Sequence, residues 1–228
     1  AGPEAAPTVC SRWEQCVLQV TSQGIDLTGS GVTVRDSTAS CSSDSPIALL
    51  GTATAAEAAL GNELLPGEYA GCWVTDPLIP PVDLGSIEVQ GPLDFEASCM
   101  AGTTCTIQVP GHGLSGAPVV TLSQGATCGQ NVAGWQPPRL ETLQSTAATV
   151  FAGTTPGSVG EITVCWAVRS GAVARPIGTL HVVGPVAENF ASSMGYDCTL
   201  QVGGHELPAG SLLSAHLAAG CDSRQVVW

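Results

Sequence analysis

Apolar and polar residues alternate along three short stretches of this chain. In residues 16–20, 105–109 and 198–202 the apolar positions are Cys16, Leu18 and Val20; Cys105, Ile107 and Val109; and Cys198, Leu200 and Val202, with Gln19, Gln108 and Gln201 between them. A period of two with one polar face predicts a half-buried β-strand, and the Gly-containing turn after each run predicts its end. The stretches are copies of one longer pattern: CSRWEQCVLQV (residues 10–20), CMAGTTCTIQV (99–109) and SSMGYDCTLQV (192–202).

Later landmarks recur in the same order. Cys41, Cys128 and Cys221 follow; then GEYAGCW, ending at Trp73, matches GEITVCW, ending at Trp166; and LGSIEVQGP, ending at Pro92, matches IGTLHVVGP, ending at Pro185. An internal period of this length makes each repeat a structural unit. The expected units are residues 1–91, 92–184 and an incomplete third, 185–228. The third lacks the strand that carries the Cys-Trp pair, so either the natural protein continues with further repeats or a second subunit supplies the missing strands. The opening AGPEAAPTVC has no basic and apolar signal-peptide pattern, which reads as mature or excised sequence.

Within the first repeat, strands are expected around residues 16–20, 31–35, 47–50, 68–74 and 85–89, and residues 52–65 (TATAAEAALGNELL) have the propensity for a short helix or turn crossing between sheets. In the second repeat the corresponding connection is longer and strand-prone at 147–151. Short strands separated by turn signals predict an all-β fold of tandem immunoglobulin-like sandwiches. Trp73 and Trp166 fall on inner faces as core anchors. Tyr69 stands three residues before Cys72, where the tyrosine corner of antibody domains has two. No Ser/Gly-rich tether separates the repeats, and each joint begins with a Pro, so neighbouring units are expected to be held in a restricted orientation. Phe95 and Phe190 lie in these joints, either between units or in a local core.

Ten cysteines in repeated positions point to disulfides and an oxidising, extracellular setting. Cys165 alternates with the apolar face of its strand whereas Cys105 lies on such a face, which argues against an antibody-type Cys105–Cys165 bridge. Because Ser192 replaces the first cysteine of the third copy while Cys198 and Cys221 remain, the favoured map is Cys198–Cys221, Cys16–Cys41, Cys105–Cys128, Cys10–Cys72 and Cys99–Cys165. The alternative, Cys10–Cys16 with Cys41–Cys72, also uses every thiol of the first repeat.

The net charge of −13, with no lysine, disfavours nucleic acid and anionic membranes as partners, and no apolar run is long enough to cross a bilayer. Candidate chemistry is thin. Residues 113–117 (GLSGA) resemble a nucleophile elbow without its final Gly and without a strand-to-helix setting, so no enzyme is expected. No C-x2-C pair or cysteine-histidine cluster indicates zinc. The few carboxylates near the joints (Asp94, Glu96, Glu188, Asp197) argue against calcium, so neither a metal nor a cofactor is expected. His112 and His205 are equivalent turn residues, and His181 reads as surface. There is no N-glycosylation sequon, while Pro and Ser/Thr content leaves O-linked sugar open. Trp13 and Trp135, without counterparts in the neighbouring complete copy, are the candidate ligand platform.

The pattern C-x5-C-x-[IL]-Q-V, the G-x-G-L turn, the later Cys, V-C-W and L-x-V-x-G-P resembles the tandem cysteine-rich Ig-like arrays of extracellular proteins from alveolates and other flagellate protists, including proteins like those of flagellar hairs (mastigonemes). The resemblance covers nearly the whole chain. It implies a surface or fibre protein with many such domains, often glycosylated. The missing first cysteine of the third copy and the single cysteine around each Trp depart from that pattern and bear on the disulfide map. The expected function is therefore a non-enzymatic structural subunit of an extracellular filament or appendage, joined to itself or to other subunits; the alternative is a cell-surface adhesin or carbohydrate-binding repeat protein.

Overall fold

The computed structural model describes residues 4–5, 8–21, 31–38, 41, 48–52, 57–61, 64–74, 80–129, 132, 138–154, 159–186, 199–207 and 209. Among them there is no helix, and the fold is all-β. The alternating runs become β3 (Cys16–Thr21) and β10 (Thr104–His112). Along β10, Cys105, Ile107 and Val109 are buried while Thr104, Thr106 and Gln108 are exposed, as a pleat covered on one face requires.

In the first repeat, β1 (Glu4–Ala5), β3 and β6 (Glu57–Gly61) form one sheet in the order β1-β3-β6. The facing sheet has the order β5-β4-β7-β8, from β5 (Ala48–Thr52), β4 (Gly31–Asp36), β7 (Gly67–Val74) and β8 (Val82–Pro92), and β2 (Thr8–Ser11) pairs with β8 in parallel. In the second repeat, β12 (Arg139–Leu143), β13 (Ala147–Thr154) and β10 form one sheet. Its partner contains β11 (Val119–Gln124), β14 (Gly160–Ala167) and β15 (Arg175–Pro185), with β9 (Phe95–Met100) parallel to β15. Two antiparallel sheets with these strand orders are the immunoglobulin sandwich. The copies differ in one strand, since β5 pairs with β4 on one sheet whereas β12 pairs with β13 on the other.

Each sandwich closes over its own core. Leu18, Val32, Val34, Trp73 and Ile87 belong to the first, and Ile107, Val150, Val164, Trp166 and Leu180 to the second. Trp73 and Trp166 keep 2% and 3% of their surface, so both are core side chains. Burying each Val, Leu or Ile contributes about 1.5–3 kcal/mol, which makes these faces the main driving force for each sandwich.

Two expectations for strands and helices need correction. Residues 57–61, within the expected helical segment, are β6, paired antiparallel with β3. Backbone pairing to an open sheet edge outweighs the modest helix propensity of Ala, Glu and Leu. In the third repeat, residues 199–203 are not a strand, Leu200 is 42% exposed, and among the described residues only β16 (Gly204–His205) pairs, with the end of β15. A half-buried strand needs a facing sheet, and the described residues of the third repeat supply none.

Candidate functional site

The disulfides define the first functional feature. Among the described residues they are Cys10–Cys16, Cys41–Cys72, Cys99–Cys105 and Cys128–Cys165, with Cα separations of 5.4, 5.6, 5.7 and 5.9 Å. The favoured map is thus overturned, and the alternative for the first repeat holds and recurs in the second. The physical reason lies in the faces. Cys99 on β9 and Cys105 on β10 belong to opposite sheets and meet at the sandwich edge, whereas Cys165 projects from the outer side of β14 and reaches Cys128 in the segment after β11. Since neither Cys16–Cys41 nor Cys105–Cys128 forms, the analogy behind Cys198–Cys221 is gone; those two residues lie outside the described ones. Each complete repeat therefore has one staple between its sheets and one that holds a loop on the outer face.

The second feature is the joint between repeats. Strand β8 pairs with β7 inside the first sandwich and then, without a break, pairs Gly91 with His112 and Pro92 with Gly111 of the second. Strand β15 repeats this, pairing with β14 and then placing Gly184 opposite His205 and Pro185 opposite Gly204. The closing strand of one unit is the opening strand of the next. The Leu93 N–H donates to the Pro110 carbonyl at 2.8 Å, and the Val186 N–H donates to that of Gly203 at 2.9 Å.

Close backbone approach explains the glycines that recur here. A Cβ on Gly111 would lie 2.7 Å from the Gly91 carbonyl oxygen, and one on Gly204 would lie 2.6 Å from that of Gly184. Gly91 and Gly184 have φ of 151° and 145°, and a Cβ on either would press on Arg12 or Ala101. Sequence reading marked the Gly-Pro pair as a repeat boundary but missed its role as a crossing point. The recurring GP and the G-x-G-L turn were the available signal.

Side chains clamp the first joint. Arg12 is buried, and its guanidinium donates to the Pro92 carbonyl and to both Asp94 carboxylate oxygens at 2.9 and 3.0 Å. It also lies over the Trp13 ring, 4.5 Å from the centroid. Trp13 in turn packs against the core of the second sandwich. Trp13 is therefore not the exposed ligand platform expected of it: one face is taken by a cation, and the side chain serves as an inter-repeat wedge. It holds φ of 67°, where the second copy has Gly102 at 78°. The turn demands a left-handed residue, and packing with Arg12 offsets the steric cost of a large one. Trp135 lies outside the described residues.

Other candidate residues sort plainly. Asp94 belongs to the Arg12 clamp, and Phe95 joins the local second core; Phe190, Glu188 and Asp197 are outside the described residues. Nε2 of His112 lies 3.5 Å from Glu88 of the first repeat. His181 is half-buried rather than a free surface residue, and it lies near His205 and Glu206. The Tyr69 hydroxyl donates to the Leu65 carbonyl at 2.8 Å, a tyrosine-corner bond made from three residues before Cys72. Burial, and then the nearby Asp36 carboxylate, raise the Tyr69 pKa. An open groove of about 570 Å³ is bordered by Asp94, Phe95, Glu96, Thr163 and Pro176.

No family model and no curated protein matches this chain. Solved structures are similar to it in outline only. A titin I-band fragment of three Ig domains is 9% identical, covers 79% of this chain and has a TM-score of 0.26; the chain spans 65% of that fragment. A chain of the complex between Dpr2 Ig1-Ig2 and DIP-Theta Ig1-Ig3 is 11% identical, with 79% of this chain and 64% of that chain covered and a TM-score of 0.28. SGBP-B of the Bacteroides ovatus mixed-linkage glucan utilization locus, in complex with a mixed-linkage heptasaccharide, is 13% identical, with 83% and 49% covered and a TM-score of 0.30.

Proposed function

We propose that this chain is a structural segment of an extracellular filament or surface appendage, in which disulfide-stapled Ig-like units are welded in series. One observation carries the reading: β8 and β15 each run uninterrupted from one sandwich into the pairing of the next. A joint made of a shared strand transmits force through backbone hydrogen bonds and packed side chains, where a flexible tether would let the units swing. The inter-sheet disulfides limit shear within each unit, and the loop disulfides limit unravelling of the outer face. In this reading the protein is not an enzyme. Its partners are further copies or other filament subunits, with O-linked sugar on the surface, and its acidic surface keeps nucleic acid and anionic membrane away. The flagellar-hair setting rests on the sequence resemblance.

Electron microscopy of the native, unreduced protein tests this reading. Regular fibres with an axial repeat of one or a few domain lengths support it. Dispersed, flexible monomers overturn it and would move attention to surface adhesion and glycan-array binding.

A further inference from the structure

The two joints share a backbone and differ in what lies beside it. The first has Arg12, Asp94, Glu88, His112 and Gly113; at the equivalent places the second has Ala101, Ala187, His181, His205 and Glu206. The ion-paired clamp is absent from this set, and two imidazoles and a carboxylate take its place. One ligand atom from each of His181, His205 and Glu206 lies within 4.8 Å of the others. His181 comes from β15, and the other two come from β16 and the turn that follows, so the three straddle the boundary between the second and third repeats.

Two observations mark this cluster as more than neighbouring surface groups. Nε2 of His205 is buried and has no hydrogen-bond partner among the described residues, with the Glu206 carboxylate 3.9 Å away. A buried nitrogen of this kind costs free energy unless something fills its lone pair or takes its proton. Behind His181, the Glu161 carboxylate lies 3.9 Å from Nδ1, on the neighbouring strand β14. A carboxylate beside a histidine ring nitrogen is the usual support for an imidazole that binds metal through its other nitrogen. Zinc bonds of about 2.0–2.2 Å to nitrogen and oxygen place tetrahedral ligand atoms roughly 3.3 Å apart, which small side-chain rotations from the present spacing can reach. Two imidazoles with one carboxylate suit zinc, nickel or copper and not calcium or magnesium, which take oxygen ligands.

We propose that His181, His205 and Glu206 form a binding site for a divalent transition-metal ion, which ties the second repeat to the third where the first joint uses the Arg12 clamp. Sequence reading saw no metal pattern because the ligands come from separate strands, and the H-E pair after Gly204 has no second histidine at helical spacing. The proposal stands whether or not the protein forms filaments.

The oxidised full-length chain, stripped with chelator, is titrated with zinc by calorimetry and with cobalt by its visible d–d spectrum. One ion per chain is expected, with a rise in thermal midpoint on zinc addition and no comparable rise with calcium. His181→Gln and His205→Gln should each weaken zinc binding at least about tenfold and abolish the tetrahedral cobalt bands. His112→Gln, at the first joint, should leave both unchanged. Chelator-treated variants are compared with the chelator-treated parent, so a general loss of fold is separated from loss of the ion. No saturable zinc binding at millimolar concentration, or binding that survives loss of His181 and His205, overturns the proposal, as does loss of binding in the His112 variant.

Discussion

Replacing Arg12 with Ala removes a side chain of the first sandwich that bonds both the crossing strand, at Pro92, and the first residues of the second unit, at Asp94. Arg12 retains 8% of its surface, whereas the Asp94 side chain is 65% exposed, so the parts of the clamp differ in value. The hydrogen bonds to Asp94 are solvated on one side, and an exposed ion pair contributes about 0–1 kcal/mol. The bond to the Pro92 carbonyl is charge-assisted and buried, and its loss costs about 1.5–3 kcal/mol. Loss of the cation over Trp13 adds about 0.5–1 kcal/mol. Arg12→Ala should therefore destabilise the protein by about 2–5 kcal/mol, and Asp94→Ala by less than about 1 kcal/mol. Urea denaturation of the oxidised chain measures both, and a double-mutant cycle should give a coupling under about 1 kcal/mol between Arg12 and Asp94. Small-angle scattering of the folded variants should show a wider range of inter-repeat orientations for Arg12→Ala alone. Equal losses for the two substitutions, or an Arg12→Ala protein with unchanged stability and scattering, would refute the idea that the buried contacts hold this joint.

Further predictions concern the crossing strand, the staples and the acid limb. Gly111→Ala forces a Cβ against the Gly91 carbonyl and should cost about 1–3 kcal/mol in denaturant melts, with hydrogen exchange rising first at Gly91 and Leu93. Removing Cys128–Cys165, which spans 37 residues, by paired Ser substitution should cost about 4 kcal/mol in the chain-entropy model. The corresponding figure for Cys99–Cys105, which spans 6, is about 2 kcal/mol, and thermal melts of the two variants compare them. The Thr38 N–H and then its hydroxyl donate to Asp36 and lower its pKa. The stability Asp36 confers is thus present above the ordinary carboxylate range and lost as pH falls through the lowered value; Asp36→Asn should flatten that part of the acid-unfolding curve.

How far the sequence specified this protein depends on whether a feature is local. Alternation of apolar and polar residues needs only the pleat, so Cys16, Leu18 and Val20 and their counterparts Cys105, Ile107 and Val109 announced their strands and buried faces. The Trp73 and Trp166 core positions followed from the same period, as did the repeat itself. The pattern misled where it lacked a covering sheet, as at Leu200, and propensity misled at residues 57–61, where pairing with β3 decided the outcome. The disulfide map needed the three-dimensional relation between strands. Face alternation separated Cys165 from Cys105, but only the parallel pairing of β9 with β15 brings Cys99 to Cys105 and leaves Cys165 for Cys128. Trp13 could not be placed from sequence because its neighbours, Arg12 and the second core, come together only when the units dock. The same holds for His181, His205 and Glu206, which are scattered in the chain and gathered by one strand crossing. Periodicity along a chain determines what each strand buries, while contacts between strands distant in sequence are set by sheet order and register, and at the joints tertiary structure alone decided them.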